Sequence, residues 1–142
     1  MLKIMFLCTA NSCRSQMAEG FAKRYGKGVL EVFSAGLFAS MVHPRAIAVM
    51  KEAGIDISGQ TSKEIDRELL STMDVVITLC SHAEASCPWT PPEIRRIHWP
   101  IADPVGTIGS EEKIMNEFRR ARDEIKEKIT EFFSTVLKEG IL

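Results

Sequence analysis

The apolar positions of the chain fall into four short runs, separated by stretches with helical spacing. Leu2 to Leu7 is apolar apart from Lys3, the pattern of a strand buried on both faces. Val29 to Ser34 alternates and is rich in β-branched residues, predicting a second strand. Asp74 to Leu79 and Ile94 to His98 read as the third and fourth. Between the first two runs, Ser15 to Tyr25 carries Met17, Ala18, Phe21 and Ala22 at helical spacing, and Gly26-Lys27-Gly28 stops it. Pro44 to Ala53 predicts another helix, with proline in its first turn and Gly54 past its end. A short helix is expected around Ile65 to Leu70. "CPWTPPE" cannot be regular, because prolines remove donors and fix the backbone. Ser110 can cap a long helix from Glu111 to about Lys138, with Gly140 beyond its end. Its apolar stripe is Ile114, Phe118, Ala121, Ile125, Ile129, Phe132 and Val136.

Strands alternating with helices predict an α/β fold. Residues 1–142 are expected to form a single doubly wound domain, a four-stranded parallel sheet flanked by helices. In such folds ligands bind outside the carboxyl ends of the strands, where both Cys8 and Cys80 fall. No repeat, low-complexity tract or linker interrupts the pattern.

Composition narrows the class. Hydrophobic residues make up 45% and charged residues 26%, as in soluble globular proteins. A net charge of -1 gives no broad attraction to nucleic acid or to an anionic membrane. No apolar run approaches the ~20 residues of a membrane span. "MLKIMFLC" lacks a small-residue cleavage site and reads as a strand, not a leader. A cytoplasmic location is expected, where structural disulfides are disfavoured. Cys8, Cys13, Cys80 and Cys87 are then metal ligands, catalytic thiols or inert core residues. Paired C-x2-C spacings are missing, which argues against zinc.

The stretch "FLCTANSCRSQMAEG" holds the candidate chemistry. A strand, a loop and a helix N-terminus gather several backbone N–H groups around one point, an arrangement suited to tetrahedral anions. Arg14 adds a planar fork that grips two oxygens. The same positive surroundings favour a thiolate at Cys8, so the loop presents a nucleophile to a bound oxyanion. Ser15 is placed to donate to that sulfur, and Asn11 tolerates a left-handed backbone. The competing explanation is a buried strand-end cysteine with a surface arginine nearby.

"CTANSCRSQMAEG" resembles the phosphate-binding loop shared by low-molecular-weight protein tyrosine phosphatases and thioredoxin-coupled arsenate reductases, and the form "NSCRSQMAEG" looks more like the reductases. The resemblance extends through "FSAG", "HP.AI..M...GIDIS", "VVITLC", "CP..PP" and "HW...DP", nearly the whole chain, where a dot is a position that carries none of it. It implies that Thr9, Ala10, Asn11, Ser12, Cys13, Arg14 and Ser15 bind the oxyanion and that Cys8 is the nucleophile. It makes Asp103 the general acid and Cys80 with Cys87 a redox pair. Arsenate is the implied substrate, phosphate and sulfate are competing oxyanions, and thioredoxin or a related dithiol protein is the reductant. No flavin, nicotinamide or metal motif is visible, so no bound cofactor and no metal are expected. A monomer that binds neither nucleic acid nor membrane is expected.

Two alternatives remain open at this level: a small phosphatase with spare cysteines, and a non-catalytic oxyanion or redox sensor. The phosphatases typically carry aromatic residues after the Asp-Pro pair, whereas Val105-Gly106 follows here and Tyr25 is the only tyrosine. Cys13 is expected to be passive, with oxidation against Cys8 as the alternative. His43 can cap the helix after it, and none of His43, His82 and His98 is assigned to catalysis. If Ser81 to Cys87 were helical, Cys80 and Cys87 would lie ~10 Å apart along the axis. A disulfide needs Cα atoms within ~7 Å, so the segment would have to unwind. Some of the reductases bind potassium through side chains that align with Asn11, Glu19 and Ser34, plus an aspartate where Lys63 stands here. This departure from the family pattern suggests that the Lys63 ammonium reaches Glu19 and replaces the ion, the alternative being a lysine that points to solvent.

Overall fold

The structure, a computed structural model, describes residues 1–139, with side chains to residue 136. Gly140 lies outside the described residues. Four parallel strands form one sheet in the order β2-β1-β3-β4: β1 (Leu2–Cys8), β2 (Leu30–Gly36), β3 (Val75–Thr78) and β4 (Arg95–His98). The helices are α1 (Arg14–Tyr25), α2 (Pro44–Glu52), α3 (Arg67–Leu70), α4 (Ser81–Ser86) and α5 (Glu111–Glu139). The chain leaves β1 for β2 on one side, then crosses back to β3 on the other. That reversal opens a crevice at the carboxyl end of β1.

Burial explains which runs became which strands. β1 is central, and Ile4 to Cys8 are all buried, matching its continuous apolar run. β4 is an edge strand whose Arg95, Arg96 and His98 keep it polar, which discourages pairing with another chain. Along α5, Phe118, Ala121, Ile125, Ile129, Phe132 and Val136 are buried and Ile114 partly so, as the spacing predicts. That stripe packs on α1 and α2, and Phe132 meets Trp99 edge-on at 6.1 Å. Each large side chain so buried contributes about 1.5–3 kcal/mol. Ser110 caps α5 as expected, its hydroxyl accepting from Lys113 N at 3.1 Å.

Two local outcomes differ from the sequence pattern. Ile65 lies outside α3, because Asp66 caps that helix by accepting from the Glu68 and Leu69 N–H groups. The segment after Cys80 forms a six-residue helix, α4, in which only Ala83 is buried.

Candidate active site

Strand register alone brings the first two candidate residues together. Leu7 pairs with Thr78 across β1 and β3, and Leu79 N donates to Leu7 O at 2.8 Å. Cys8 directly follows Leu7 and Cys80 directly follows Leu79, so neighbouring strand ends carry both thiols. The Thr9 hydroxyl completes the contact at 3.3 Å from Cys80 Sγ.

The loop between β1 and α1 is shaped by Asn11. Its φ of 46° is the only positive value at a non-glycine among the described residues. Its buried side chain is fully used: Oδ1 accepts from Lys63 N at 2.8 Å, and Nδ2 donates to Ser15 Oγ at 2.7 Å and Ser34 Oγ at 2.9 Å. Ser15 Oγ therefore has its own hydrogen free for Cys8 Sγ, 2.8 Å away, which is the contact expected from the sequence. Gln16 Nε2 ties the loop down further, donating to Asn11 O and Thr61 O at 2.9 Å each. Opposite the loop, a Cβ on Gly36 would lie 2.6 Å from Asn11 N.

Arg14 opens α1 and is nearly buried. Its Nη1 donates to Ile101 O at 2.9 Å and its Nη2 lies 3.4 Å from Asp103 Oδ2. The segment after β4 delivers both partners, with Ile101 N bonded to Leu79 O at 3.1 Å. Asp103 Oδ1 accepts from Val105 N at 3.0 Å, so the Asp-Pro pair also starts a turn. Two adjoining hollows meet here. One of about 590 Å³ is lined by Cys8, Ser12, Arg14, His43 and Asp103, and one of about 480 Å³ by Thr9, Cys80, Arg14 and Asp103. His82 borders both.

All four cysteines are free thiols. Cys80 is the N-cap of α4, its Sγ accepting from Ala83 N at 3.3 Å, and Cys87 is the C-cap in extended conformation before Pro88. The helix thus separates the two thiols. Burial, aided by Glu84 and opposed by Arg96, holds the Cys87 thiol above its ordinary range. Cys13, the loop residue at the N-cap of α1, is buried, and burial together with the neighbouring Cys8 pushes its thiol far upward. A thiol so held stays protonated, which fits a passive residue.

Behind the loop, Glu19 is buried and accepts from Ser34 Oγ. Lys23 Nζ lies 2.5 Å from Glu19 Oε2, whereas Lys63 Nζ lies 3.9 Å from Oε1 and donates to Thr61 O. Lys63 does reach Glu19, but Lys23 is the closer cation. Burial lowers the Lys63 ammonium below its ordinary range, against the pull of Glu19. Among the described residues, no group of three or more His, Cys, Asp or Glu side chains is placed to hold a metal ion.

The fold therefore assembles Cys8, Thr9 to Ser15, Cys80 and Asp103 at one crevice and sets Cys87 at the far end of α4. The sequence pattern does not mark Gln16 or Gly36 as loop supports, and it singles out Ser34 only through the resemblance. Glu19 and Lys23, at the i,i+4 spacing of a helix ion pair, carried a signal that could have revealed their contact.

The loop from Cys8 to Arg14 thus lies at the carboxyl end of the inner parallel strand β1, where the order of the sheet reverses. The family model of low molecular weight phosphotyrosine protein phosphatases matches residues 3–141, and the chain belongs to that family. It also belongs with the arsenate reductases: that of Bacillus subtilis is 51% identical over 132 residues, 93% of this chain and 95% of the relative. A solved arsenate reductase in its phosphate-binding state superposes with a TM-score of 0.79 at 44% identity, covering 96% of this chain and 99% of the other. A thioredoxin-dependent arsenate reductase of Corynebacterium glutamicum superposes with a TM-score of 0.65 at 26% identity, over 92% of this chain and 62% of the other.

Proposed function

We propose that this chain reduces arsenate to arsenite by a thiol relay, using a reduced dithiol protein such as thioredoxin as electron donor. The carrying observation is that Cys80 Sγ rests on the hydroxyl of Thr9, the residue next to Cys8. A hydrolase needs no second thiol at that place.

The oxyanion binds against the N–H groups of residues 9–15 and the guanidinium of Arg14. Cys8 Sγ attacks arsenic, and Asp103 protonates the departing oxygen, which leaves as water. Cys80 then attacks Cys8 Sγ. The S–S bond forms, the S–As bond breaks, and its electron pair stays on arsenic, releasing arsenite. Cys87 attacks Cys80, so Cys8 leaves as a thiolate and a Cys80–Cys87 disulfide remains. The dithiol protein takes up that disulfide and returns both thiols to the reduced state. The reading needs no bound cofactor. It places the enzyme in the cytoplasm as a monomer, with phosphate and sulfate as competitors at the loop. The reductases similar to this chain support the substrate, and the thioredoxin-dependent neighbour supports the donor.

The test is arsenite production with thioredoxin and its reductase, run beside glutaredoxin with glutathione. Cys8→Ser should abolish turnover, and Cys80→Ser should stop at the enzyme-bound arsenic adduct. Cys87→Ser should stop at the Cys8–Cys80 disulfide. Sustained thioredoxin-driven turnover by Cys87→Ser would overturn the relay. Any weak phosphatase activity should need Cys8 but neither Cys80 nor Cys87, since the loop chemistry is shared.

A further inference from the structure

The helix between the two outer thiols poses a physical problem. α4 has six residues, and an isolated helix that short does not persist in water. Only attachments to the rest of the molecule hold it. Two of them are the Cys80 cap and the burial of Ala83. The third is Glu84. Thr78 Oγ1, buried on β3, donates to Glu84 Oε2 and lies 2.9 Å from His98 Nδ1 on β4. A hydroxyl has one hydrogen, so His98 must supply the proton of its own contact. The chain of donors runs from His98 Nδ1–H through the Thr78 hydroxyl to the Glu84 carboxylate. Glu84 Oε2 lies 3.9 Å from that same ring nitrogen. Among the described residues, no other α4 side chain hydrogen-bonds to the sheet.

We propose that Glu84 is a positioning residue, a latch that holds α4 on Thr78 and His98 and so sets how readily Cys80 and Cys87 come together. This rests on the relay described above. In the exchange step, Cys87 Sγ bonds to Cys80 Sγ while Cys8 leaves with the electron pair, and the helix must open for the two sulfurs to meet. The latch opposes that opening and restores the helix after reduction. Glu84 touches neither the loop nor the oxyanion hollows, so it acts on the disulfide equilibrium and not on anion binding.

The measurement is the midpoint of the Cys80–Cys87 couple, equilibrated against oxidised and reduced dithiothreitol in a Cys8→Ser background that prevents the Cys8–Cys80 bond. Losing one charge-assisted hydrogen bond on a partly exposed carboxylate should favour the disulfide about five- to tenfold in Glu84→Ala. That corresponds to a midpoint lower by about 20–30 mV, at 29.6 mV per tenfold for two electrons. Glu84→Gln keeps an acceptor and should shift less. Thr78→Val should shift the midpoint like Glu84→Ala, Thr78→Ser should restore it, and Glu84→Ala with Thr78→Val should shift it no further than either alone. Amide exchange across residues 81–86 of the reduced protein should quicken in Glu84→Ala, while phosphate binding to the Cys8-containing protein stays unchanged. An unchanged midpoint with unchanged exchange in Glu84→Ala would overturn the latch. A parent protein that never forms the Cys80–Cys87 bond would instead sink the relay, and the exchange across 81–86 would then decide the latch alone.

Discussion

Asn11 uses one buried side chain to organise both sides of the phosphate-type loop, and the left-handed backbone there is part of the arrangement. The two contributions separate by substitution. Asn11→Gly accepts the backbone angle but loses three hydrogen bonds, leaving Ser15 and Ser34 without their donor. We expect phosphate affinity to fall about tenfold or more, read by calorimetry. An affinity equal to that of the unmodified protein would mean that the angle alone matters. Gly36 makes the complementary case. An added methyl would lie 2.6 Å from Asn11 N and 2.8 Å from the Ala10 carbonyl carbon, both backbone atoms that cannot rotate away. Gly36→Ala should therefore cost about 1–3 kcal/mol by overpacking and weaken phosphate binding with it. A fully stable Gly36→Ala protein with normal phosphate affinity would refute the close-approach argument.

Among the elements, α2 carries a pH response of its own. His43 caps it, Nδ1 accepting from Arg45 N at 3.1 Å, so the ring must be neutral at that nitrogen. Burial first, and Arg45 second, hold its imidazole below the ordinary value of 6.5, with Asp103 opposing. The unfolded chain therefore binds the proton more readily than the folded one. The resulting stability is complete above about pH 6.5 and is lost as pH falls through the lower folded value. Melting temperature should drop across that window, and His43→Asn, which keeps a cap without titrating, should flatten the drop. The strands and long helices are legible in the sequence because each carries its own periodicity, as α5 does in its buried stripe. α4 is not legible, because its only buried side chain is an alanine and its cap is a cysteine, outside the usual Ser, Thr, Asp and Asn signals. The loop reads clearly, since Cys8 to Ser15 is contiguous. Of its supports, Ser34 and Lys63 stand out only through the resemblance, and Gly36 not at all, because strand register and chain return bring them to the loop. Trp89, exposed beyond Cys87, offers a reporter for α4. In Trp99→Phe its emission should change on forming Cys80–Cys87, whereas identical spectra in both redox states would argue that the segment does not open.

Across the whole molecule, α2 and α5 are clamped at the surface by ion pairs. Glu52 accepts from Arg119 and Arg122, and Arg45 pairs with Glu111 at 2.8 Å. Hydrogen bonds from Arg119 above all, then from Arg122, hold the Glu52 carboxyl down to about 2, against the ordinary 4.5. A depressed folded value means the clamp is at full strength above about pH 4.5 and is lost as pH falls toward 2. Because Glu52 is partly exposed, screening limits its worth to about 0.5–1 kcal/mol. Glu52→Gln should lose that amount at neutral pH and show a shallower acid limb, and strong salt should narrow the gap between the two proteins. Denaturation curves against pH would reveal it, and parallel acid limbs would rule the clamp out.

The cap on α4 gives the proposed cycle a direction in time. Cys80 Sγ receives the Ala83 N–H in the resting protein. Once that sulfur is bonded to Cys8, it is aimed at another atom and no longer closes the first turn of α4. Loss of a Ser, Thr, Asp or Asn cap costs a helix about 1 kcal/mol, and loss of this weaker 3.3 Å sulfur contact costs some part of that. In the proposed cycle the first disulfide would thus loosen the segment that must open for the second, a ratchet in which one exchange prepares the next. In Cys87→Ser trapped as the Cys8–Cys80 disulfide, the Ala83 amide should exchange with solvent faster than in the reduced protein. Equal protection in both states would show that the steps are not coupled in this way.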